Sequence, residues 1–378
     1  MIASVVKDYV HPRFETKHVT KKMQYTTYFL VACLNFIATF VVVAANNPWP
    51  LEQRSPFNAK LQTSKPVTFQ PLSQVQKAWN LCVLVPHLKD AYWIGIDYGL
   101  ATHAKQLGVS LELFEAGGYY GKAQQLEQLS HCMSAPFDAI LLGSVDPLLL
   151  NSYQGQISKP IIALVNRIDS PLITTRVGVN WYQMGWIAGH YIQQAVLRKS
   201  TKTSPQLALL TGPERVGGSA WVEQGVLAAL EHSTVTISSI RHADNNRDLY
   251  RDQLHHLLND HIPDYILGSA VAVEAAVGEL QHRGLDSVQL VSSYLSPATL
   301  RGLYRNRVAF SSDDQVVLQG KLAIDITVRE LQGAAAYGDI GPKILGLKAG
   351  KKQLSNLNYS LAPADFYPIY RIDHLAKD

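Results

Sequence analysis

Short apolar runs bounded by turn residues alternate along most of this chain with helix-length amphipathic stretches, the period-two and period-3.6 signals of strands and helices. The first run is Leu81-Cys82-Val83-Leu84-Val85, stopped by Pro86, and the stretch from about Tyr92 to Leu107 reads as a helix closed by Gly108. A second strand, Val109 to Phe114, ends in Glu115-Ala116-Gly117-Gly118-Tyr119-Tyr120, and a Gln-rich helix from about Gly121 to Met133 follows it. Ala139 to Gly143, Ile161 to Val165 and Arg176 to Asn180 are the next three strands, and Trp181 opens a helix that runs through Leu197. After a polar linker, Arg198 to Pro205, the pattern starts again with strands at Gln206 to Leu210, Val235 to Ile240, Tyr265 to Gly268, Gln289 to Ser292 and Val308 to Phe310. Repeated β-then-α order implies parallel strands joined by helical crossovers. The chain has 378 residues, about twice the usual ~150 of one domain. The expected fold is therefore α/β, two Rossmann-like doubly wound lobes joined by a hinge, with a ligand cleft between them.

The aromatic residues are placed where such strands would end: Tyr92-Trp93, Tyr119-Tyr120, Trp181-Tyr182 and Tyr294. Open α/β sheets bind ligands at the carboxyl ends of their strands, so rings there face a crevice. That points to a small ligand with an apolar or cationic face. Catalytic readings fail in turn. Gly117-Gly118-Tyr119-Tyr120-Gly121 puts bulky rings where a dinucleotide fingerprint needs bare backbone. Gly217-Gly218-Ser219-Ala220-Trp221 lacks the second half of a nucleophile elbow, and no phosphate-binding GxxxxGK[ST] loop occurs. His255, His256 and His261 find no acid or Cys to complete a metal set and read as a solvated helix face. Neither an enzyme nor a cofactor or metal protein is expected.

The formal charge of +4 includes basic residues clustered in the first two dozen positions, which leaves the folded part near neutral. It offers no nucleic-acid stripe. Lys21-Lys22, the apolar positions from Tyr28 to Val43, and Ala44-Ala45 form the basic, apolar and small-residue regions of an export signal over residues 1–45, with Met23 as an alternative start. An uncleaved anchor is the other reading, since the run nearly reaches the ~20 residues of a span. Beyond that segment only Cys82 and Cys132 remain, and an even pair in an exported protein invites a disulfide. In a 2-1-3 strand order the crossover helix ending at Cys132 lies beside the strand that carries Cys82; two buried thiols are the alternative.

The strand order, together with Val85-Pro86-His87-Leu88-Lys89-Asp90-Ala91-Tyr92-Trp93, Trp181-Tyr182-Gln183-Met184-Gly185 and Asp314-Gln315, resembles the type I periplasmic binding proteins of the ribose-binding class. The likeness runs from about Ala78 to Tyr370, and it is nearest to members that bind trimethylamine N-oxide (TMAO) and work with a membrane sensor histidine kinase. It implies a periplasmic receptor of a two-component system. TMAO would sit among Tyr92, Trp93, Tyr119, Trp181 and Tyr294, with Asp90 and Asp314 orienting donors, and the partner would be the kinase ectodomain. In the ribose class a hydroxyl-reading acid usually stands where this chain has Tyr294, and an Arg is missing from Gly217-Gly218-Ser219, so a polyol finds few partners. Ring faces suit a methylated nitrogen through cation–π attraction. The resemblance also implies a first lobe of residues 78–179 and 313–341 and a second of 180–312 and 342–378, with residues 46–77 as an N-terminal extension and the tail around Phe366 to Tyr370 rejoining the second lobe. A transporter's binding component, for a sugar or quaternary amine, is the other functional reading.

Overall fold

The computed structural model describes residues 47–54, 60, 63–199, 204–350 and 357–374; the export signal expected over residues 1–45 lies outside them. Among the described residues, fifteen strands fall in two sheets. The larger is built from β1 (Trp49–Arg54), β2 (Lys65–Phe69), β3 (Asn80–Val85), β4 (Ser110–Glu115), β5 (Ala139–Leu142), β6 (Ile161–Leu164), β7 (Thr175–Val177), β13 (Gly338–Pro342) and β15 (Arg371–Ile372). Its order is β15-β4-β3-β5-β6-β7-β13-β1-β2. The smaller contains β8 (Gln206–Leu210), β9 (Thr236–Ile240), β10 (Tyr265–Gly268), β11 (Gln289–Ser292), β12 (Phe310–Asp313) and β14 (Leu345–Lys348), in the order β14-β12-β11-β10-β8-β9.

The helices are α1 (Ala91–Leu107), α2 (Lys122–Ser134), α3 (Leu149–Ser152), α4 (Trp181–Lys199), α5 (Ser219–Leu230), α6 (Arg247–Asp260), α7 (Ala270–Arg283), α8 (Pro297–Tyr304) and α9 (Val316–Leu331). The strand β3 runs parallel to both β4 and β5. Covered on both faces by helices, it is buried from Leu81 to Val85, which is why its sequence is a continuous apolar run and not an alternating one. Asp90 caps α1 by accepting from the Trp93 backbone N–H, and Gly108 ends it in the left-handed conformation. Cys82 on β3 and Cys132 on α2 are joined in a disulfide, their Cα atoms 6.0 Å apart.

The chain leaves the larger sheet after β7, enters the smaller one at β8, returns between β12 and β13 through α9, and goes back again to β14. The tail does not stay with the second lobe, as the resemblance implied it would. Arg371 and Ile372 pair with Glu112 and Leu111 of β4. Ahead of them the Ile369 N–H reaches Asp97 Oδ2 at 2.8 Å, and the Phe366 ring meets Tyr98 edge-on. The outer edge of β4 would otherwise be open, and the tail satisfies its backbone groups.

Residues 49–54 and 65–69 also join the fold. The antiparallel pair β1–β2 extends the larger sheet past β13, and Arg54, 2% exposed, meets Asp339 at 3.0 Å. Arg176 binds the same carboxylate at 2.7 Å. Burial alone would raise the Asp339 carboxyl, but Arg176 and Arg54 together hold it below the usual range.

Candidate ligand-binding site

Between the lobes, rings from several elements converge. Tyr92 and Trp93 come from the first turn of α1, Tyr119 from the loop after β4, Trp181 from the start of α4, and Tyr294 from the loop after β11. The Tyr92 ring is central: its centroid lies 5.1 Å from Tyr294, edge-on, 5.8 Å from Trp181 and 6.0 Å from Trp93. These five rings, with Asp90, line one cavity, closed on the second-lobe side by Thr211 and the loop from Gly212 to Gly218. About 30 Å³ there is open to the centre of a water molecule. At ~10–15 Å³ per water, that is room for about two or three water molecules, a space suited to a compact solute.

Close packing at the cleft depends on two glycines. A methyl group on Gly217 would stand 2.8 Å from the Tyr119 ring of the other lobe, and one on Gly218 would stand 2.4 Å from Trp181. Gly217 also has φ +60°, the left-handed region that favours glycine. In the sequence this loop stands out for a missing nucleophile motif and a missing Arg, and not for what its bare backbone admits. Its position after β8, at a strand's carboxyl end, was the available signal.

The polar atoms divide into those that are satisfied and those that are not. The Tyr92 hydroxyl donates to Asp314 Oδ2 at 2.7 Å, so its proton is committed. Asp314 lies behind Tyr92, outside the cavity wall, where Gln319 Nε2 donates to the same oxygen at 2.9 Å. It orients the Tyr92 hydroxyl from outside the wall and does not itself line the cavity. The Tyr119 oxygen accepts from Trp93 Nε1 at 3.2 Å and from Asn166 Nδ2 at 3.5 Å, which leaves its own hydrogen free to donate into the cavity. Trp181 Nε1, the Tyr294 hydroxyl, Thr211 Oγ1 and Asp90 Oδ2 are buried without a protein partner. Buried polar groups are nearly always paired, so a bound solute or water would complete the bonding of this group of atoms.

Burial raises the Asp90 carboxyl above its ordinary range, with His87 opposing and Asp244 adding to the rise. Burial also holds the hydroxyls of Tyr92, Tyr119 and Tyr294 protonated, above the usual tyrosine range. The site thus offers ring faces, several O–H and N–H donors and one buried carboxyl group. Among the described residues that line it there is no nucleophile–base pair.

A family model described as periplasmic binding proteins and sugar binding domain of LacI family matches residues 78–367. The chain is 38% identical over 303 residues to periplasmic protein TorT of Escherichia coli strain K12, an alignment covering 80% of this chain and 87% of the relative. Among solved structures it is similar to TorT in complex with the TorS sensor domain in the presence of TMAO, at 35% identity and a TM-score of 0.69 over 77% of this chain and 99% of that one. It is also similar to an ABC transporter solute binding protein from Bradyrhizobium with bound Bis-Tris, at 31% identity and a TM-score of 0.72, covering 85% of this chain and 98% of that one.

Proposed function

We propose, from the premise that this chain belongs to the periplasmic binding proteins, that it is a periplasmic receptor which encloses TMAO between its lobes and reports occupancy to the ectodomain of a membrane sensor histidine kinase. The observation that carries the reading is the set of partnerless donors on a small ring-lined cavity: Trp181 Nε1 and the Tyr294 hydroxyl, joined by the free hydrogen of Tyr119. TMAO presents three methyls around a positive nitrogen and one strongly accepting oxygen. Ring faces take the methyls and the donors take the oxide.

Size limits the affinity. A ligand of five heavy atoms at about −1.5 kcal/mol each reaches at most about −7.5 kcal/mol, a dissociation constant of a few micromolar. That range suits a sensor whose occupancy must fall when the solute does. The similarity to TorT, solved in complex with the TorS sensor domain, supports the kinase as partner. The Bradyrhizobium likeness favours the second reading, a transporter's binding component.

Calorimetry with TMAO, trimethylamine and ribose tests the ligand, and a sizing column run with the kinase ectodomain tests the partner. TMAO should bind in the micromolar range, and trimethylamine at least tenfold more weakly, because it leaves the oxide donors unpaired. Ribose should not register. Absence of TMAO binding up to millimolar concentrations would refute the ligand. An ectodomain that never co-elutes would refute the partner and favour the transporter reading.

A further inference from the structure

TMAO uses only part of what the site offers. It carries no net charge, so it brings nothing to balance the carboxylate of Asp90, whose Oδ2 has no protein partner on a residue 8% exposed. Beside the ring cavity lies a second space of about 350 Å³, also between the lobes. Asp90, Tyr92, Asn245 and Tyr294 line both, so the two are adjoining compartments sharing one wall. Asn245 Oδ1 and the Tyr294 hydroxyl, on that wall, have no protein partner either.

The outer compartment carries Lys89, Arg247, Asp248 and Glu274. Asp248 meets Arg251 at 3.2 Å and Glu274 meets Arg247 at 3.7 Å, so these carboxylates are already matched. The Lys89 ammonium donates to the Gly117 carbonyl, and among the described residues it forms no ion pair. A partnerless carboxyl beside aromatic rings therefore sits next in sequence to a cation without a counter-charge, at the junction of a small compartment and a larger one.

We propose that the two compartments form one elongated site for betaines, zwitterions with a trimethylammonium head and a carboxylate tail. The head lies among the rings, where the Asp90 carboxylate balances its permanent charge. The tail reaches the outer compartment, accepting from the Tyr294 hydroxyl and facing Lys89. This takes from the proposed function only the location of the site; the ligand class is additional to TMAO.

The test is calorimetry on the mature protein with TMAO, choline and three betaines whose tails hold one, two or three methylenes. In the wild type at least one betaine should bind tenfold more tightly than choline. Asp90→Asn keeps a side chain that caps α1 equally well, yet it removes the charge. It should weaken that betaine tenfold or more, a larger factor than any change in TMAO affinity. Lys89→Gln should bring betaine down to the level of choline and leave TMAO unchanged. Wild-type protein that binds TMAO but no betaine overturns the inference while leaving the proposed function standing. Betaine binding without TMAO binding does the reverse. Equal losses of TMAO and betaine in Asp90→Asn would also overturn it, since the carboxylate would then not discriminate a cation from an N-oxide.

Discussion

The hydrogen bond from Tyr92 to Asp314 can be removed without removing a cavity ring. Tyr92→Phe keeps the ring 5.1 Å from Tyr294 and 5.8 Å from Trp181, while Asp314 Oδ2, on a residue 1% exposed, loses a donor at 2.7 Å and retains Gln319. A hydrogen bond to a charged acceptor contributes about 1.5–3 kcal/mol, and a neutral one about 1 kcal/mol. Which figure applies depends on pH. Burial raises the Asp314 carboxyl above its ordinary 3.8, and the Tyr92 and Gln319 bonds oppose the rise. A group raised in this way favours the fold most below its unfolded value and loses that contribution as pH climbs through its folded value. Phenylalanine removes an opposing bond, so the folded value rises further and the loss extends to higher pH. The variant should therefore cost about 1 kcal/mol where the carboxyl is protonated and about 2–3 kcal/mol where it is ionised, so the cost should grow from pH 4 to pH 8. Urea unfolding at the two pH values with an unchanged slope measures both numbers, and an Asp314→Asn background should abolish the pH dependence. A cost below about 0.5 kcal/mol at pH 8, or one equal at both pH values, would refute the argument that this bond holds a charge.

Trp181→Phe retains a ring face and deletes the partnerless indole N–H; TMAO affinity should fall roughly five- to thirtyfold, the value of about 1–2 kcal/mol for one good hydrogen bond, and an unchanged titration would exclude that donor. Asp97 is raised by burial to about 7, so wild-type stability should drop as pH rises from 4 to 7, and Asp97→Asn should flatten that drop by up to about 4 kcal/mol in thermal or urea unfolding across the range. Cys82→Ser/Cys132→Ser opens a loop of sequence separation 50, which loop entropy values at about 4 kcal/mol; a loss below about 1 kcal/mol by urea unfolding would mean the bridge does little for the mature fold.

Elements whose burial follows from their own residues are legible in the amino-acid order alone. Gln206–Leu210, Tyr265–Gly268 and Gln289–Ser292 are short apolar runs between turn residues, and the sequence bounds agree with the observed ones residue for residue. The elements that escaped depend on distant partners. In β1 and β2, Pro50 and Pro66 read as breakers, and Arg54 reads as a solvated charge until Asp339, 285 positions away, is brought against it. The strand β12 continues past the apolar run that ends at Phe310: Ser311, Ser312 and Asp313 look like a loop in the sequence, yet all three are at most 1% exposed. Met184 O, Ser360 Oγ and the Gln315 N–H supply bonds to Ser312 and Asp313. At the site, the rings announce themselves by type and position, whereas Gly217 and Gly218 act through the absence of a side chain. Only the opposing rings of Tyr119 and Trp181 give that absence its meaning.

Two cavity rings are tied to the segments through which the chain passes between the sheets. Trp181 opens α4 directly after the first passage, where Asn180 Oδ1 accepts from the Gln183 N–H at 3.1 Å and fixes the start of the helix. Tyr92, on α1, is bonded through its hydroxyl to Asp314, which lies in the second passage between β12 and α9. That passage is tightly specified: Gln315 takes a left-handed conformation, φ 55°, held by its N–H to Asp313 Oδ1 at 2.9 Å. Asp313 is itself raised by burial to about 6, with Ser360 and the Gln315 N–H opposing. A ligand shifts an equilibrium between lobe arrangements only by contacting them unequally. Rotation about these passages must carry the Trp181 ring relative to Tyr92, so the 5.8 Å separation of their centroids is a distance that lobe motion changes. A solute held between those two rings would resist such rotation at both passages at once. On this geometry the same contacts that select a small methylated ligand would also set the angle between the lobes, and no separate relay is needed to turn occupancy into shape.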